Sequence, residues 1–148
     1  MISMKKKYQI GFTSGVFDLF HVGHLNILQK SKSLCDKLVV GVTTDELVSY
    51  KNKKSVIPFE ERIKIISSIK YVDEAIVQKD LDKFSTWQKV KFNVMFVGDD
   101  WKGTPSWDKY EKQFRAVNVD IIYFPYTKGT SSTLINEILV NKRKELNK

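Results

Sequence analysis

The feature that most constrains the fold is an alternation. Short apolar runs rich in Val, Ile and Phe are separated by longer segments whose apolar residues recur at helical spacing. Tyr8–Thr13, Lys37–Thr43, Glu74–Gln78, Asn93–Gly98 and Val119–Phe124 read as strands, because each is short and bounded by polar residues or Gly. Helical period runs from about Val22 to Leu34, from Pro58 to about Lys70, over Leu81–Lys91 and Ser106–Val117, and onward from about Ser131. Pro58 suits a first helical turn, Glu60 and Glu61 complement the positive end of the helix dipole, and Phe59, Ile63 and Ile66 form one stripe. In the last helix Leu134, Ile135, Ile138 and Leu139 share a stripe behind Ser and Thr residues suited to its N-cap. Strand and helix alternating in this way predict an α/β fold: a doubly wound five-stranded parallel sheet with helices on both faces.

A chain of 148 residues, 42% hydrophobic and 28% charged, fits one domain spanning residues 1–148, with a core from about 8 to 140. The aromatic fraction of 12% excludes a disordered chain. The net charge of +8 is unevenly placed. Lys5, Lys6 and Lys7 lie at the front and Lys142, Arg143, Lys144 and Lys148 at the back; without these and Glu145, 18 basic and 16 acidic residues remain. So balanced a body argues against a nucleic-acid-binding face, while a basic site for a small anion stays open. The lone Cys35, set among helical residues, reads as a small buried side chain in a reducing cytoplasm. No apolar run reaches the roughly 18–20 residues that span a bilayer, so no membrane insertion is expected.

In doubly wound sheets ligands bind beyond the carboxyl ends of the strands, where the strand order reverses. Polar, glycine-containing segments follow the first strand (14–24), the fourth (98–103) and the fifth (125–133). His21 and His24, three apart at a helix start, can face one side beside backbone N–H groups that favour an anion, and Gly23 between them permits close approach. The same spacing also suits a zinc pair or two structural histidines, although no HExxH pattern is present and Cys35 is the only cysteine. Ser131, Ser132 and Thr133 follow Gly129 at the start of the last helix, where hydroxyls and free N–H groups can cradle a phosphate beside Lys128, or simply cap. Asp99 and Asp100 suit a divalent cation, a substrate hydroxyl or a turn. The Lys51–Lys54 run reads as a loop between the second strand and the Pro58 helix.

Gly15-Val-Phe-Asp18 followed by His21-Val-Gly-His24 resembles the HxGH signature of the nucleotidyltransferase superfamily. Lys70-Tyr-Val-Asp-Glu74, Gly98-Asp-Asp-Trp-Lys-Gly103 and Thr127-Lys-Gly-Thr-Ser-Ser-Thr133 are similar to its small cytidylyltransferase branch, typified by the glycerol-3-phosphate enzymes. The likeness extends from about residue 8 to 140. It implies a Rossmann-like sheet and a homodimer acting on CTP with Mg²⁺. A phosphorylated alcohol would attack the α-phosphate, giving pyrophosphate and a CDP-alcohol for a surface polymer, glycan or lipid head group. Adenylyl transfer, a choline- or ethanolamine-phosphate acceptor, and a non-catalytic nucleotide-binding module are the alternatives.

The resemblance also implies roles. His21, His24, Lys53 and Arg62 would be catalytic, the histidines at the triphosphate and the developing charge. Gly15, Val16, Phe17, Gly23, Lys70, Gly98, Asp99, Tyr126, Thr127, Gly129, Ser131, Ser132 and Thr133 would bind the nucleotide. Asp18, Lys51, Asp100 and Trp101 would bind the acceptor. No direct protein ligand to the metal is expected. Two positions depart from the family pattern: Lys70 and Tyr126 stand where arginines do in relatives, and neither offers a planar fork. Val16 replaces a small hydroxyl residue of the glycerol-phosphate members.

Overall fold

The computed structural model describes residues 7–50, 54–125 and 132–146. Five strands, β1 (Tyr8–Gly15), β2 (Cys35–Thr43), β3 (Glu74–Gln78), β4 (Val94–Gly98) and β5 (Asp120–Phe124), form one sheet in the order β3-β2-β1-β4-β5. Every pairing is parallel. The helices are α1 (Val22–Ser33), α2 (Asp45–Tyr50), α3 (Phe59–Ser67), α4 (Lys83–Val90), α5 (Pro105–Arg115) and α6 (Ser132–Leu146).

This order follows from the handedness of parallel crossovers. The chain winds outward from β1 through β2 to β3, then returns through α4 to the far side of β1 and winds outward again to β5. Right-handed connections put α1 and α3 on one face and α4 and α5 on the other. Side-chain alternation matches. Leu38, Val40 and Val42 of β2 pack with Leu28 of α1 and Ile66 of α3. Val39 joins Phe12, Met95, Trp107 and Phe114 on the opposite face, with Phe84 and Trp87 of α4 packed against them. Leu28, Leu38, Val40, Ile66 and Phe114 are fully buried, each contributing roughly 1.5–3 kcal/mol on the usual scale for a large apolar side chain.

The doubly wound sheet is as predicted, with informative differences at the ends of elements. Cys35 is buried but opens β2 rather than lying in a helix, its Sγ 3.3 Å from the Ser31 carbonyl. Pro58 stands just outside α3 as its N-cap. α4 starts at Lys83 rather than Leu81, because the Asp82 carboxylate accepts the Phe84 N–H at 3.0 Å. The short α2 was not predicted; its signals are Thr44, whose hydroxyl accepts the Leu47 N–H at 3.2 Å, and the acidic first turn of Asp45 and Glu46. Asp99–Trp101 forms a 3₁₀ turn after β4.

Candidate active site

The reversal in strand order places the gap between β1 and β4 at the centre of the carboxyl edge, the expected position for a ligand. The segment leaving β1 is built around His24. Phe17 and Leu19 both take left-handed backbone (φ 54° and 50°), a conformation that costs a side-chain-bearing residue roughly 1–2 kcal/mol. That turn tucks the buried Phe17 ring edge-on to His24, 5.5 Å between centroids, with Phe20 at 5.4 Å on another side.

His21 caps α1. Its Nδ1 accepts the Gly23 N–H at 3.0 Å, and His24 Nδ1 accepts the His21 N–H at 3.2 Å, a reciprocal capping box made of two imidazoles. The rings stack with centroids 3.9 Å apart. Burial lowers the His21 pKa, and burial first, then the neighbouring His21, pushes His24 down to about 4, with Asp18 pulling weakly the other way. Both rings are therefore neutral near pH 7. Since each Nδ1 is an acceptor, each Nε2 carries the proton. The pair offers two N–H donors at a helix N-terminus, a device for receiving negative charge.

The low His24 pKa predicts acid sensitivity. Below pH 6.5, the ordinary value, an unfolded histidine takes up a proton while folded His24 resists until about pH 4, so stability falls as pH drops through this window. Between pH 7 and 4.5 the expected loss is about 2–3 kcal/mol, measured by urea unfolding at both pH values, and His24→Gln should remove most of it. An unchanged pH slope in that variant would contradict the assignment.

A second network locks the neighbouring segments. Arg62 of α3 is 1% exposed. Its Nη1 donates to the carbonyls of Val16 (2.7 Å) and Thr43 (2.8 Å), its Nε to that of Ile57 (2.9 Å), and its Nη2 to Asp45 Oδ1 at 2.6 Å. Asp45 also accepts the Ser55 hydroxyl and the Phe59 N–H. Burial alone would raise the Asp45 carboxyl, but the Phe59 N–H, Arg62 and Ser55 together hold it below its ordinary value. Asp18 accepts the N–H groups of Val56 (2.8 Å) and Ile57 (2.9 Å). In this structure, then, Arg62 and Asp18 fix the loops after β1 and β2 to each other. The resemblance implies a catalytic role for Arg62; here its guanidinium is buried on these four protein acceptors.

Of the other predicted site residues, Gly15 ends β1, Val16 and Phe17 lie in the segment joining it to α1, Gly23 is in the first turn of α1, and Gly98, Asp99, Asp100 and Trp101 lie at the end of β4 and its 3₁₀ turn, on the same edge of the sheet. Trp101 is exposed, its ring 6.4 Å from Trp107. Ser132 and Thr133 open α6, which follows β5. Lys51, Lys53, Tyr126, Thr127, Gly129 and Ser131 lie outside the described residues. Lys70 precedes β3, whose first residue Glu74 pairs with Val39, and so lies toward the amino edge of the sheet. Asp45, Thr44 and Lys83, none of them predicted, join the carboxyl edge. Lys83 Nζ donates to Ser14 Oγ at 2.8 Å.

Residues 12–138 match the cytidylyltransferase-like family model. The chain belongs to the cytidylyltransferase-like family. It is thus an enzyme of nucleotidyl transfer. It is 40% identical over 126 residues to a glycerol-3-phosphate cytidylyltransferase of Bacillus spizizenii, covering 84% of this chain and 92% of the relative. It is 35% identical over 109 residues to an FAD synthase of Archaeoglobus fulgidus, covering 74% of this chain and 79% of the relative. Among solved structures, a lipopolysaccharide core biosynthesis protein of Thermoplasma volcanium superposes with a TM-score of 0.69 at 28% identity, over 83% of this chain and 99% of that one. No described helix is long and apolar enough to cross a membrane.

Proposed function

We propose that this cytidylyltransferase-like protein transfers CMP from CTP to a small phosphorylated alcohol, with glycerol 3-phosphate the leading acceptor. The observation that carries this is the pair of neutral, stacked histidines whose Nε2–H groups stand at the N-terminus of α1, beside the gap between β1 and β4. Its resemblance in sequence to the glycerol-3-phosphate enzymes supports the choice of acceptor.

The chemistry asks little of a base, because a phosphate dianion is already nucleophilic at neutral pH. An acceptor oxygen forms a bond to the α-phosphorus, the bond from that phosphorus to the α–β bridging oxygen breaks, and its electron pair leaves with pyrophosphate. Catalysis then rests on holding two anions in line and neutralising the charge that builds up. His21 and His24 supply the donors at that charge. Lys51 and Lys53 hold the incoming phosphate and CTP, and Ser131, Ser132 and Thr133, with Thr127 and Gly129, cradle the triphosphate. Among the described residues no three His, Cys, Asp or Glu side chains converge as metal ligands. Mg²⁺ in this reading arrives on the oxygens of CTP. A homodimer in the cytoplasm completes the proposal.

The test is pyrophosphate release by the purified protein with each of the four nucleoside triphosphates against a panel of phosphorylated alcohols. CTP with glycerol 3-phosphate should exceed every ATP combination by at least about tenfold, the scale of discrimination that one or two well-made base contacts supply. Similarity to the FAD synthases gives a second reading, adenylyl transfer, and ATP outperforming CTP would favour it.

A further inference from the structure

The carboxyl edge divides into two sides. The histidines and the β4 turn flank the gap where the strand order reverses. On the other side of β1, above the ends of β2 and β3, an open cleft of about 560 Å³ is lined by Thr44, Glu46, Leu47, Lys79, Asp80 and Leu81. Lys83 belongs to this second side by origin, since it is the first residue of α4, immediately after the cleft's own segment. Its side chain does not stay there. It runs back past β2 to place its ammonium on Ser14 Oγ at 2.8 Å, at the end of β1 and two residues before the Val16 carbonyl that Arg62 grips.

The sheet makes room for that reach. Ser14 pairs with Gly41 of β2, and a Cβ on Gly41 would come within 2.7 Å of Gln78 Oε1 and 3.3 Å of Ser14 Cβ. The floor between β1 and β3 is therefore kept low by a glycine. Gln78, 2% exposed, is itself fastened by its amide N–H groups to the Asp80 carbonyl at 2.9 Å and Thr86 Oγ1 at 3.0 Å, which fixes the start of α4 over that floor. Lys83 is half-buried, and its charge is directed along a built surface toward the strand end where the reaction centre begins.

We propose that Lys83 is an acceptor-binding residue, its ammonium holding the phosphate of the incoming phosphorylated alcohol at the end of β1, between the reaction centre and the cleft over β2 and β3. The inference rests on the proposed transfer to a phosphorylated alcohol. An ammonium on a hydroxyl partner can exchange or share that partner with a phosphate oxygen, and charge-assisted hydrogen bonds of this kind are the strong ones. Its approach from the β3 side puts the ammonium between that cleft and the end of β1, so an acceptor whose alcohol group occupies the cleft turns its phosphate toward the reaction centre.

Steady-state pyrophosphate release by the full chain, with Mg-CTP and glycerol 3-phosphate varied in turn, tests this in wild type, Lys83→Met, Lys83→Arg and Ser14→Ala. Lys83→Met should raise the acceptor KM by at least about tenfold while the CTP KM stays within about twofold, the scale expected for one charged hydrogen bond. Lys83→Arg should recover most of that loss. Ser14→Ala, which leaves α4 untouched, should raise the acceptor KM by about threefold as the ammonium loses one of its anchors, in line with one neutral partner lost. A rise in CTP KM without one for the acceptor places Lys83 on the nucleotide, and unchanged acceptor KM in both Lys83→Met and Ser14→Ala makes it a structural contact; either result overturns the proposal. Should wild type release no pyrophosphate from CTP with any acceptor, the transfer reading itself fails. Wild-type turnover with an indifferent Lys83→Met variant refutes only the role of Lys83.

Discussion

His24→Ala lowers kcat by about 100-fold or more, and His21→Ala does the same, the usual scale for losing a preorganised donor at developing negative charge. Two imidazoles stacked at 3.9 Å are held by each other's backbone, so each N–H stands in place before substrate arrives. Removing either ring deletes a donor and loosens the other. The two effects should therefore not add, and the loss in the double variant should fall well short of the product of the single losses. Single-turnover rates at saturating CTP and acceptor provide the check, together with far-ultraviolet circular dichroism to show that the fold persists. Near-normal turnover in both single variants would remove the histidines from the chemistry.

Arg62→Met destabilises the protein by about 3–5 kcal/mol, because three main-chain carbonyls lose their donor at roughly 1–3 kcal/mol each where they are desolvated, while the Asp45 side chain, 43% exposed, stays solvated and adds little. The guanidinium answers three main-chain carbonyls as well as Asp45, and a thioether of similar length answers none of them. Desolvated acceptors left without donors make the loss large. By contrast, the exposed Lys37–Glu74 pair should contribute less than about 1 kcal/mol when Lys37 is replaced by Met. Urea unfolding at pH 7 compares the two. A loss below about 1 kcal/mol for Arg62→Met would show that the network does not hold the loops.

These two predictions rest on features that were unequally legible in the sequence. The histidine pair was visible because a spacing of three at a helix start is a local fact. The five strands were visible because each is a short apolar run with clear punctuation, and the handedness of parallel crossovers then allows few arrangements. Arg62 is legible as a residue of the Pro58 helix, but its burial is not. An arginine beside two glutamates on an amphipathic helix looks like surface, and only the distant Val16 and Thr43 carbonyls take it inside. Lys70 shows a different limit: motif resemblance says nothing of which edge of the sheet a residue reaches, although in a parallel sheet everything just before a strand lies at the amino edge. For Lys83 the sequence carried no signal, since its partner is 69 residues away.

Asp45 has a further consequence for how such a protein can change. The stretch that leaves it at the start of α2 returns at Ser55, whose hydroxyl binds the same carboxylate at 2.8 Å, and Phe59 and Arg62 fasten the return. Both ends of the intervening segment are thus tied to one point. Between these anchors Val48 is buried, so exchange is tolerated at the exposed positions of α2, and the clasp on Asp45 keeps the frame that supports the histidines in place. One carboxylate thus works as a clasp: chain that leaves the sheet after β2 is pinned where it comes back, so drift at exposed positions of α2 need not travel to the histidines.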